Sequence, residues 1–298
     1  MNNNVKTSDP FGGLRYEGGS VGILLLHSLG GAPMELKYLA QGLARCGYTV
    51  SCPVIPGMSH GTDVLGLSRW NDWYASAEAQ LDDMRKTCDT VMVGGLSAGS
   101  IMALKLAAER PNDVEGVLVC APTLKPNGWS IPWTFNLFGL VWQRWCARLF
   151  QFRQRAPYGI KDERLRNFMI EASRAGNRSI EDLYSRNGGM VLQFRKLVMN
   201  VKRRLGQVTH PTLIVHPRED DQSHLKNALT IQARLGGPVE SIVLDDSYHM
   251  VTLDRQRDVV LDRSIDFVAR LVGKVEARRA RNAPRIARPK LVSTVAAE

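Results

Sequence analysis

The sequence predicts an α/β fold, in which a mostly parallel sheet carries helices on both faces and a helical cap is inserted. Short apolar runs alternate with amphipathic helical segments early and late in the chain, as in parallel sheets covered on both faces. Between residues 122 and 209 this alternation stops, and the composition becomes helical. A serine motif at residues 95–99 lies between a predicted strand and a predicted helix.

Each predicted element follows from its hydrophobic pattern. The run at 21–26 is continuously apolar, which is typical of a strand buried on both faces. In the segment 33–46 four apolar residues share one helical face, and Gly47 ends the helix. The same criteria predict strands at 48–52, 90–93, 114–120, 211–216 and 239–244, and helices at about 70–86, after Ser97, at 223–235 and at 257–272.

The elements divide the chain into three parts. Residues 1–121 and 210–272 are expected to form the α/β core, and residues 122–209 a cap above the edge of the sheet where the strands end. Residues 273–298 form a basic tail that lacks apolar periodicity after Val275, so we predict that it is disordered.

Composition excludes several classes of protein. The first ten residues are polar and no apolar run is long enough to span a membrane, which predicts a cytoplasmic protein rather than a secreted one. The 5 cysteines are scattered and lack paired spacing. They predict reduced thiols, and neither a disulfide framework nor a zinc or other metal site.

The net charge of +10 is concentrated in two places. Residues 144–204 contain 15 Lys and Arg against 5 Asp and Glu, and residues 273–298 contain 7 against 2. A basic cap of this kind would attract an acidic carrier protein or an anionic lipid surface, although a solvated face that favours solubility explains the same composition. The tail lacks interleaved aromatic residues, so no nucleic-acid partner is expected.

The serine motif has the spacing G-x-S-x-G. Ser97 lies at the apex of a sharp turn from strand to helix, which strains its backbone and lifts its hydroxyl clear of the sheet. Gly95 and Gly99 flank it because side chains would collide in so tight a bend. We therefore predict Ser97 as a nucleophile.

A serine nucleophile needs an imidazole to accept its proton and a carboxylate to orient that imidazole. Asp220 follows the strand at 211–216, and His249 follows the strand at 239–244. Both are predicted to lie at the same sheet edge as Ser97, with Asp220 as the acid and His249 as the base. The alternatives are Asp221 as the acid and His216, His224 or His210 as the base.

Acyl transfer also requires donors for the oxyanion that develops on the attacked carbonyl. The backbone N–H of Ala98, directly after the nucleophile, is one candidate. The backbone N–H of Leu29 is the other, in the loop after the first apolar strand, where two glycines let the chain turn sharply.

These motifs resemble the α/β-hydrolase superfamily, and specifically its bacterial carboxylesterases and monoacylglycerol lipases, over roughly residues 20–272. The matching segments are 24–31, 94–99, 218–220 and 247–254. Where the family has His-Gly, this chain has His27-Ser28. The resemblance implies a serine hydrolase that works through an acyl-enzyme without a cofactor, and it implies that His60 is a structural residue in the wall of the active site.

The cap suggests what the substrate is like. We predict an acyl-chain pocket under a basic rim, lined by Trp129, Trp133, Phe135, Phe138 and Trp142. The same aromatic residues would also serve to pack the cap onto the core, or to face a lipid surface as an interfacial lid.

The predicted function is hydrolysis of small-molecule carboxylic esters with short to medium acyl chains, including monoacylglycerols. One alternative is a thioesterase acting on acyl-coenzyme A or acyl-carrier protein, since both carriers are anionic and would dock on a basic cap. A second alternative is a hydrolase-like binding protein without catalytic activity.

Overall fold

The computed structural model describes residues 12–59, 61–62, 67–175 and 185–282. Its strands are β1 Leu14–Tyr16, β2 Val21–Leu26, β3 Thr49–Cys52, β4 Thr90–Leu96, β5 Gly116–Cys120, β6 Gln151–Phe152, β7 Arg186–Asn187, β8 Thr212–Pro217 and β9 Val239–Leu244. Seven of them form a central sheet with strand order β1-β3-β2-β4-β5-β8-β9, in which only β1 runs antiparallel to its neighbour. The other two, β6 and β7, form a separate antiparallel pair in the cap.

Helices cover both faces of the large sheet. They are α1 Lys37–Arg45, α2 Trp70–Arg85, α3 Ala98–Glu109, α4 Arg144–Ala147, α5 Glu163–Ala175, α6 Gly188–Lys202, α7 Lys226–Gln232 and α8 Arg257–Asn282. Three 3-10 helices lie at Pro33–Leu36, Trp133–Leu140 and Leu205–Gln207. The described part of the chain therefore has the predicted α/β fold with a mostly parallel sheet.

Two hydrophobic layers hold the helices against the sheet, and β2 contributes to both. Leu24 and Leu26 pack in the layer that contains residues of α2, α3 and α6. Ile23 and Leu25 point to the opposite face and pack with residues of α1 and α8. Since successive side chains of a strand alternate between faces, an unbroken apolar run is what a doubly covered strand requires.

Several elements differ from their predicted bounds. The three-residue edge strand β1, which pairs with β3, was not predicted from the sequence. The helix predicted to end at 272 continues to Asn282, where Val275 is buried and Arg278 forms an ion pair with Glu115. The predicted tail therefore starts as part of α8, and residues 283–298 lie outside the described residues, as does His60.

The cap combines helices with the short β6–β7 pair, whereas the sequence predicted helices alone. Its last helix, α6, packs Phe194, Leu197, Val198 and Val201 into the core layer formed with α2 and α3. The cap is therefore anchored to the core through α6. None of the helices within the described ranges is both long and apolar enough to cross a lipid bilayer.

Candidate active site

Ser97 lies at the turn between β4 and α3 with φ 57° and ψ −111°, a backbone conformation that non-glycine residues rarely adopt. The helix can start so abruptly because Gly99 lies against β2. A Cβ atom at this position would lie 1.9 Å from the carbonyl oxygen of Leu26. The strained serine and the close approach of Gly99 together confirm the sharp turn that the motif predicted.

Replacing Gly99 with alanine is therefore expected to destabilise the fold. The added methyl group would collide with a strand backbone that cannot move without breaking the sheet, so we expect a loss of about 3 kcal/mol or more in the free energy of unfolding. Gly273→Ala is the matched control, because Gly273 lies in α8 with open space around it. That change should raise stability by up to about 1 kcal/mol. Urea unfolding measures both, and equal effects would contradict this account of the turn.

The structure brings together the three side chains that the sequence predicted as a group. The Nε2 atom of His249 lies 2.9 Å from Oγ of Ser97. Its Nδ1 atom lies 2.8 and 3.0 Å from the two carboxylate oxygens of Asp220. All three residues are at least nine-tenths buried. With Nδ1–H donated to Asp220, Nε2 carries the lone pair that faces the serine hydroxyl.

Asp220 is itself held by its surroundings. Its Oδ1 atom accepts hydrogen bonds from the backbone N–H groups of Gln222 and Ser223, each at 2.8 Å. The ring of His216 approaches Asp220 to 3.4 Å, but its Nε2 atom is 2.8 Å from the carbonyl oxygen of Ser223, to which it donates. Burial lowers the pKa of His216, so this second histidine stays neutral beside the carboxylate.

Asp221, the alternative acid, faces the main chain rather than the imidazole of His249. Its two carboxylate oxygens accept from the backbone N–H of Gly159 at 3.0 Å and from that of His249 at 3.3 Å. Burial raises the pKa of Asp221 to about 6. Its contacts therefore fix the backbone that carries His249, whereas Asp220 contacts the ring.

The other two alternative histidines lie away from this group. His210 is half-buried, and its ring contacts the carbonyl oxygen of Pro111. His224 is exposed, at the start of the segment that leads into α7.

Burial and neighbouring charge act in opposite directions on His249. Burial alone would lower its pKa, but the charge of Asp220 and the hydrogen bond to it raise the pKa above its ordinary value of 6.5, with a smaller contribution from Asp221. An imidazole with this environment binds a proton more readily than a free one, which suits a group that accepts a proton from an alcohol.

The two backbone N–H groups predicted to bind an oxyanion belong to Ala98 and Leu29. Ala98 is the first residue of α3, so helix hydrogen bonds leave its N–H free. Leu29 lies in the loop after β2 and contributes to the wall of the same cavity as Ser97. Within the ranges that the structure describes, neither N–H has a hydrogen-bond acceptor.

The loop that carries Leu29 is held by residues that sequence reasoning missed. Buried Glu35 accepts hydrogen bonds from the backbone N–H and from the hydroxyl of Ser28, each at 3.0 Å. From the cap, Arg186 donates through Nε to the carbonyl oxygen of Leu29 at 2.5 Å. Gly30 turns the chain with φ +67° and donates to the carbonyl oxygen of Met58. Ser28 thus replaces the family's glycine without breaking the loop, because Glu35 satisfies its hydroxyl.

His27 precedes this loop and has a structural environment. Its Nδ1 atom lies 2.8 Å from the carbonyl oxygen of Ser28, and its Nε2 atom lies 2.7 Å from the hydroxyl of Ser59. Burial lowers the pKa of His27 to about 4, so the ring is neutral near pH 7.

Thr123 was also missed. Its hydroxyl lies 3.2 Å from Oγ of Ser97. Thr123 follows β5 directly after a residue with positive φ, Ala121, and one proline. Its position at the carboxyl end of a central parallel strand is the signal that could have pointed to it.

A cavity of about 890 Å³ lies between the cap and the sheet, and Ser97 and His249 form part of its wall. One side is apolar and is built from phenylalanines whose rings contact each other edge-on at centroid distances of 4.9–5.4 Å. These are Phe135, Phe138, Phe150 and Phe152. The wall also has a polar part, which includes Arg153, Gln154, Arg155, Arg186 and Gln222.

Two of the five cap residues predicted to line a pocket do so, namely Phe135 and Phe138. The three tryptophans do not lie on the cavity wall, and this corrects the prediction.

Trp129 packs its ring against Tyr248 and donates to the carbonyl oxygen of Glu219. Trp133 is 74% exposed, and the face of Trp142 is covered by the guanidinium of Arg195 at 4.4 Å. The short 3-10 helix turns Phe138 inward and leaves its first residue, Trp133, in solvent.

Comparison with known proteins relates this arrangement to hydrolases. The model of a family described as serine aminopeptidase, S33, matches residues 21–256. A thermostable monoacylglycerol lipase from Bacillus sp. (strain H-257) is 28% identical over 260 residues, which cover 86% of this chain and 94% of that protein. A carboxylesterase from Bacillus subtilis (strain 168) is 22% identical over 271 residues, which cover 90% and 98%.

The fold matches those of solved hydrolase structures. A structure from work on LipS and LipT, two lipolytic enzymes derived from a metagenome, superposes with a TM-score of 0.70 at 24% identity. The match covers 89% of this chain and 99% of that one. The mostly parallel sheet with its covering helices is therefore the fold of known hydrolase structures.

Proposed function

Since the chain belongs to the serine aminopeptidase S33 family of α/β-hydrolases and is an ester-hydrolysing enzyme, we propose that Ser97, His249 and Asp220 are its catalytic triad. The observation that supports this most directly is the unbroken line of hydrogen bonds from Asp220 through His249 to Ser97, at the wall of a largely apolar cavity. Family membership favours catalysis over the alternative function, which is that of a binding protein without activity.

The proposed reaction has two halves. In the first, Oγ of Ser97 attacks the carbonyl carbon of the ester while its proton passes to Nε2 of His249. The backbone N–H groups of Leu29 and Ala98 hold the resulting oxyanion. The C–O bond to the alcohol then breaks, and the alcohol leaves with the proton from His249, so that the acyl group stays on Ser97.

In the second half, water takes the place of the alcohol. His249 removes a proton from the water as its oxygen attacks the acyl carbon, and the oxyanion again accepts from the same two N–H groups. Collapse of this intermediate breaks the bond to Oγ of Ser97, which regains its proton from His249. The carboxylic acid leaves and the enzyme is restored.

Mixing enzyme with a p-nitrophenyl ester should give a burst of one p-nitrophenol per active site, if deacylation is the slower half. Peptide mapping of the quenched enzyme should find the acyl group on Ser97.

We propose that the acyl group occupies the phenylalanine-lined side of the cavity. Its apolar lining suits a hydrocarbon chain of short to medium length, and the polar part suits the alcohol of an ester such as a monoacylglycerol. Two buried amide atoms at this polar part, Oε1 of Gln154 and Nε2 of Gln222, have no partner among the described residues. Both are available to hydrogen-bond an alcohol.

The acyl-chain profile tests this assignment. With p-nitrophenyl esters we expect kcat/KM to rise with chain length by up to about fourfold per methylene, until the cavity is full. Val191 lies on the wall beside Phe138, so Val191→Phe should shift the optimum to shorter chains. The optimum would stay where it is if acyl chains bind elsewhere.

The basic residues on the cavity wall support a second candidate function. Arg153 and Arg155 lie in one short segment of this wall, where their positive charges would attract the phosphates of an anionic thioester carrier. Acyl-coenzyme A and p-nitrophenyl esters of equal chain length separate the two functions. A strong preference for the thioester that is lost as salt rises would favour the thioesterase, and a preference for neutral esters at all salt concentrations would favour the esterase.

The pH dependence of turnover should follow His249. The base must be neutral to accept a proton, and its pKa is raised, so kcat/KM is expected to fall as the pH drops through a midpoint above 6.5. A profile on p-nitrophenyl acetate between about pH 5 and 9 measures this midpoint. A rate that stays constant from pH 7 down to 5 would contradict the role of His249 as base.

We also propose a cytoplasmic location. All five cysteines are free, and Cys52, Cys88 and Cys120 are buried without a neighbouring thiol partner. Burial raises the pKa of Cys120 to about 12, so its thiol is protonated and unreactive. Free thiols are the usual state in a reducing compartment. Separating the cell into cytosolic, membrane and exported fractions tests this proposal.

A further inference from the structure

The outer face of the cap exposes an unusual amount of apolar surface. We define the outer cap face by its six large apolar side chains, each more than half exposed: Trp133, Leu137, Leu140, Trp142, Trp145 and Leu149. All six lie within a stretch of 17 residues, from 133 to 149. Clusters of exposed apolar residues on this scale mark surfaces that bind another protein or a membrane.

The packing of the cap explains why its short helices leave apolar side chains exposed. The 3-10 helix Trp133–Leu140 buries Phe138, and α4 buries Ala147, in one cluster with Val191 and Leu192 of α6. Both elements therefore turn one side toward α6 and the opposite side toward solvent. Their outward sides, with Trp142 between the two elements and Leu149 just after α4, form the outer cap face.

The outer cap face is continuous with the mouth of the cavity. Leu137 belongs to this face at 56% exposure and is also part of the cavity wall. Phe150, which directly follows Leu149, is 42% exposed and lines the cavity as well. If this face binds a surface, a molecule that leaves that surface would enter the cavity past Leu137 and Phe150.

The charge of this region has one sign. From residue 122 to residue 161 the sequence contains no Asp or Glu, but it contains four arginines and two lysines. Arg148 lies between Trp145 and Leu149 and is exposed, and Arg153 and Arg155 follow at the edge of the cavity. Tryptophan and leucine beside arginine, without acidic residues, is the composition that binds the interface of an anionic lipid layer.

We propose that the outer cap face docks on an anionic lipid surface, with the cavity mouth opening toward the lipid. Trp133, Trp145 and the leucines insert at the level of the headgroups, while Arg148 pairs with lipid phosphates. A second copy of the chain fits this face less well, because a symmetric contact would bring the same arginines against each other. The protein would bind at the interface without spanning it.

Vesicle binding tests the proposal without depending on catalysis. The full chain carrying Ser97→Ala is mixed with vesicles of phosphatidylcholine alone or with equimolar phosphatidylglycerol, and the bound fraction is measured by flotation. We expect binding to the anionic vesicles, and weakening of that binding by added salt. Replacing Trp133, Leu140, Trp145 and Leu149 with serine should reduce the partition coefficient by more than about tenfold.

Two single variants address charge. Arg148→Glu should reduce binding to anionic vesicles by about fivefold or more, and it should leave the weaker binding to neutral vesicles nearly unchanged. Arg263→Glu, at an exposed arginine of α8, is its matched control and should have little effect on either. For the four serine replacements, the control is Val259→Ser combined with Leu229→Ser, two exposed apolar residues outside the cap.

The outcomes are distinguishable. In an otherwise wild-type chain, turnover of a water-soluble ester should be within about twofold of normal after the four serine replacements, because these residues lie off the cavity wall. That result would show that the fold and the proposed esterase activity are intact. Vesicle binding equal to that of the control variants would overturn the docking proposal. So would sedimentation that shows a dimer which the serine replacements dissociate, since the face would then bind a second copy.

Discussion

Turnover of p-nitrophenyl butyrate is expected to fall by roughly a millionfold when Ser97 is replaced with alanine. Without Oγ there is no atom to form the acyl-enzyme, and only the oxyanion donors and substrate binding would remain. His249→Gln should cost about as much, because Ser97 then has no base within reach. The double variant should be scarcely worse than either single one, since the two residues act as a unit.

His216→Gln is the control for the histidine variant. His216 is as deeply buried as His249 and also lies near Asp220, but it donates to the carbonyl oxygen of Ser223 and does not reach Ser97. A glutamine amide can donate to the same oxygen, so we expect a loss of at most about tenfold in kcat. Similar losses for His216→Gln and His249→Gln would contradict the assignment of the base. Circular dichroism and the melting temperature would establish that each variant is folded.

The second large effect is expected at Asp220, and its neighbour Asp221 provides the comparison. Asp220→Asn should lower kcat by roughly a thousandfold or more, because an amide can donate to Nδ1 of His249 and hold the wrong tautomer toward Ser97. Asp221→Asn keeps one oxygen to accept from the backbone N–H of Gly159 or His249, so we expect less than about a tenfold loss.

Steady-state kinetics of the two aspartate variants decide between the acids. Loss of the Asp220 charge should also move the acidic limb of the pH profile of any residual activity to lower pH, because that charge raises the pKa of His249. Full activity in Asp220→Asn together with a large loss in Asp221→Asn would reverse the assignment of the acid.

The positions of the three proposed triad residues were predictable because they follow from topology. The carboxyl ends of neighbouring parallel strands meet at one sheet edge, and Ser97, Asp220 and His249 each follow such a strand, namely β4, β8 and β9. The apolar runs at β2 and β4 also identified the central strands, since a strand covered on both faces is a short, nearly continuous apolar run.

The contacts that hold the loop carrying Leu29 could not be predicted from the sequence in the same way. Glu35 lies in a 3-10 helix and would be expected in solvent, yet it is buried against Ser28. Arg186 reaches Leu29 from the cap, although the two residues are 157 positions apart along the chain. Such contacts depend on the three-dimensional course of the chain, which composition and periodicity do not determine.

The cap tryptophans show a different limit. Hydrophobicity predicted that Trp133 and Trp142 would face a pocket. The 3-10 helix buries Phe138 and leaves Trp133 exposed, and the ring of Trp142 packs under the guanidinium of Arg195. Hydrophobic pattern also failed to separate α8 from the tail, because five of the ten residues from 273 to 282 are charged. The helix continues there through buried Val275 and the ion pair of Arg278 with Glu115.

The most direct test of the central claim is the site of covalent labelling by a fluorophosphonate probe, read by mass spectrometry of the digested protein. A serine activated by an imidazole reacts with such a probe, whereas ordinary serines do not. We predict one label per chain on Ser97, and no label after Ser97→Ala or His249→Gln. An unlabelled wild-type protein that hydrolyses esters, or a label on another serine, would contradict the proposed triad.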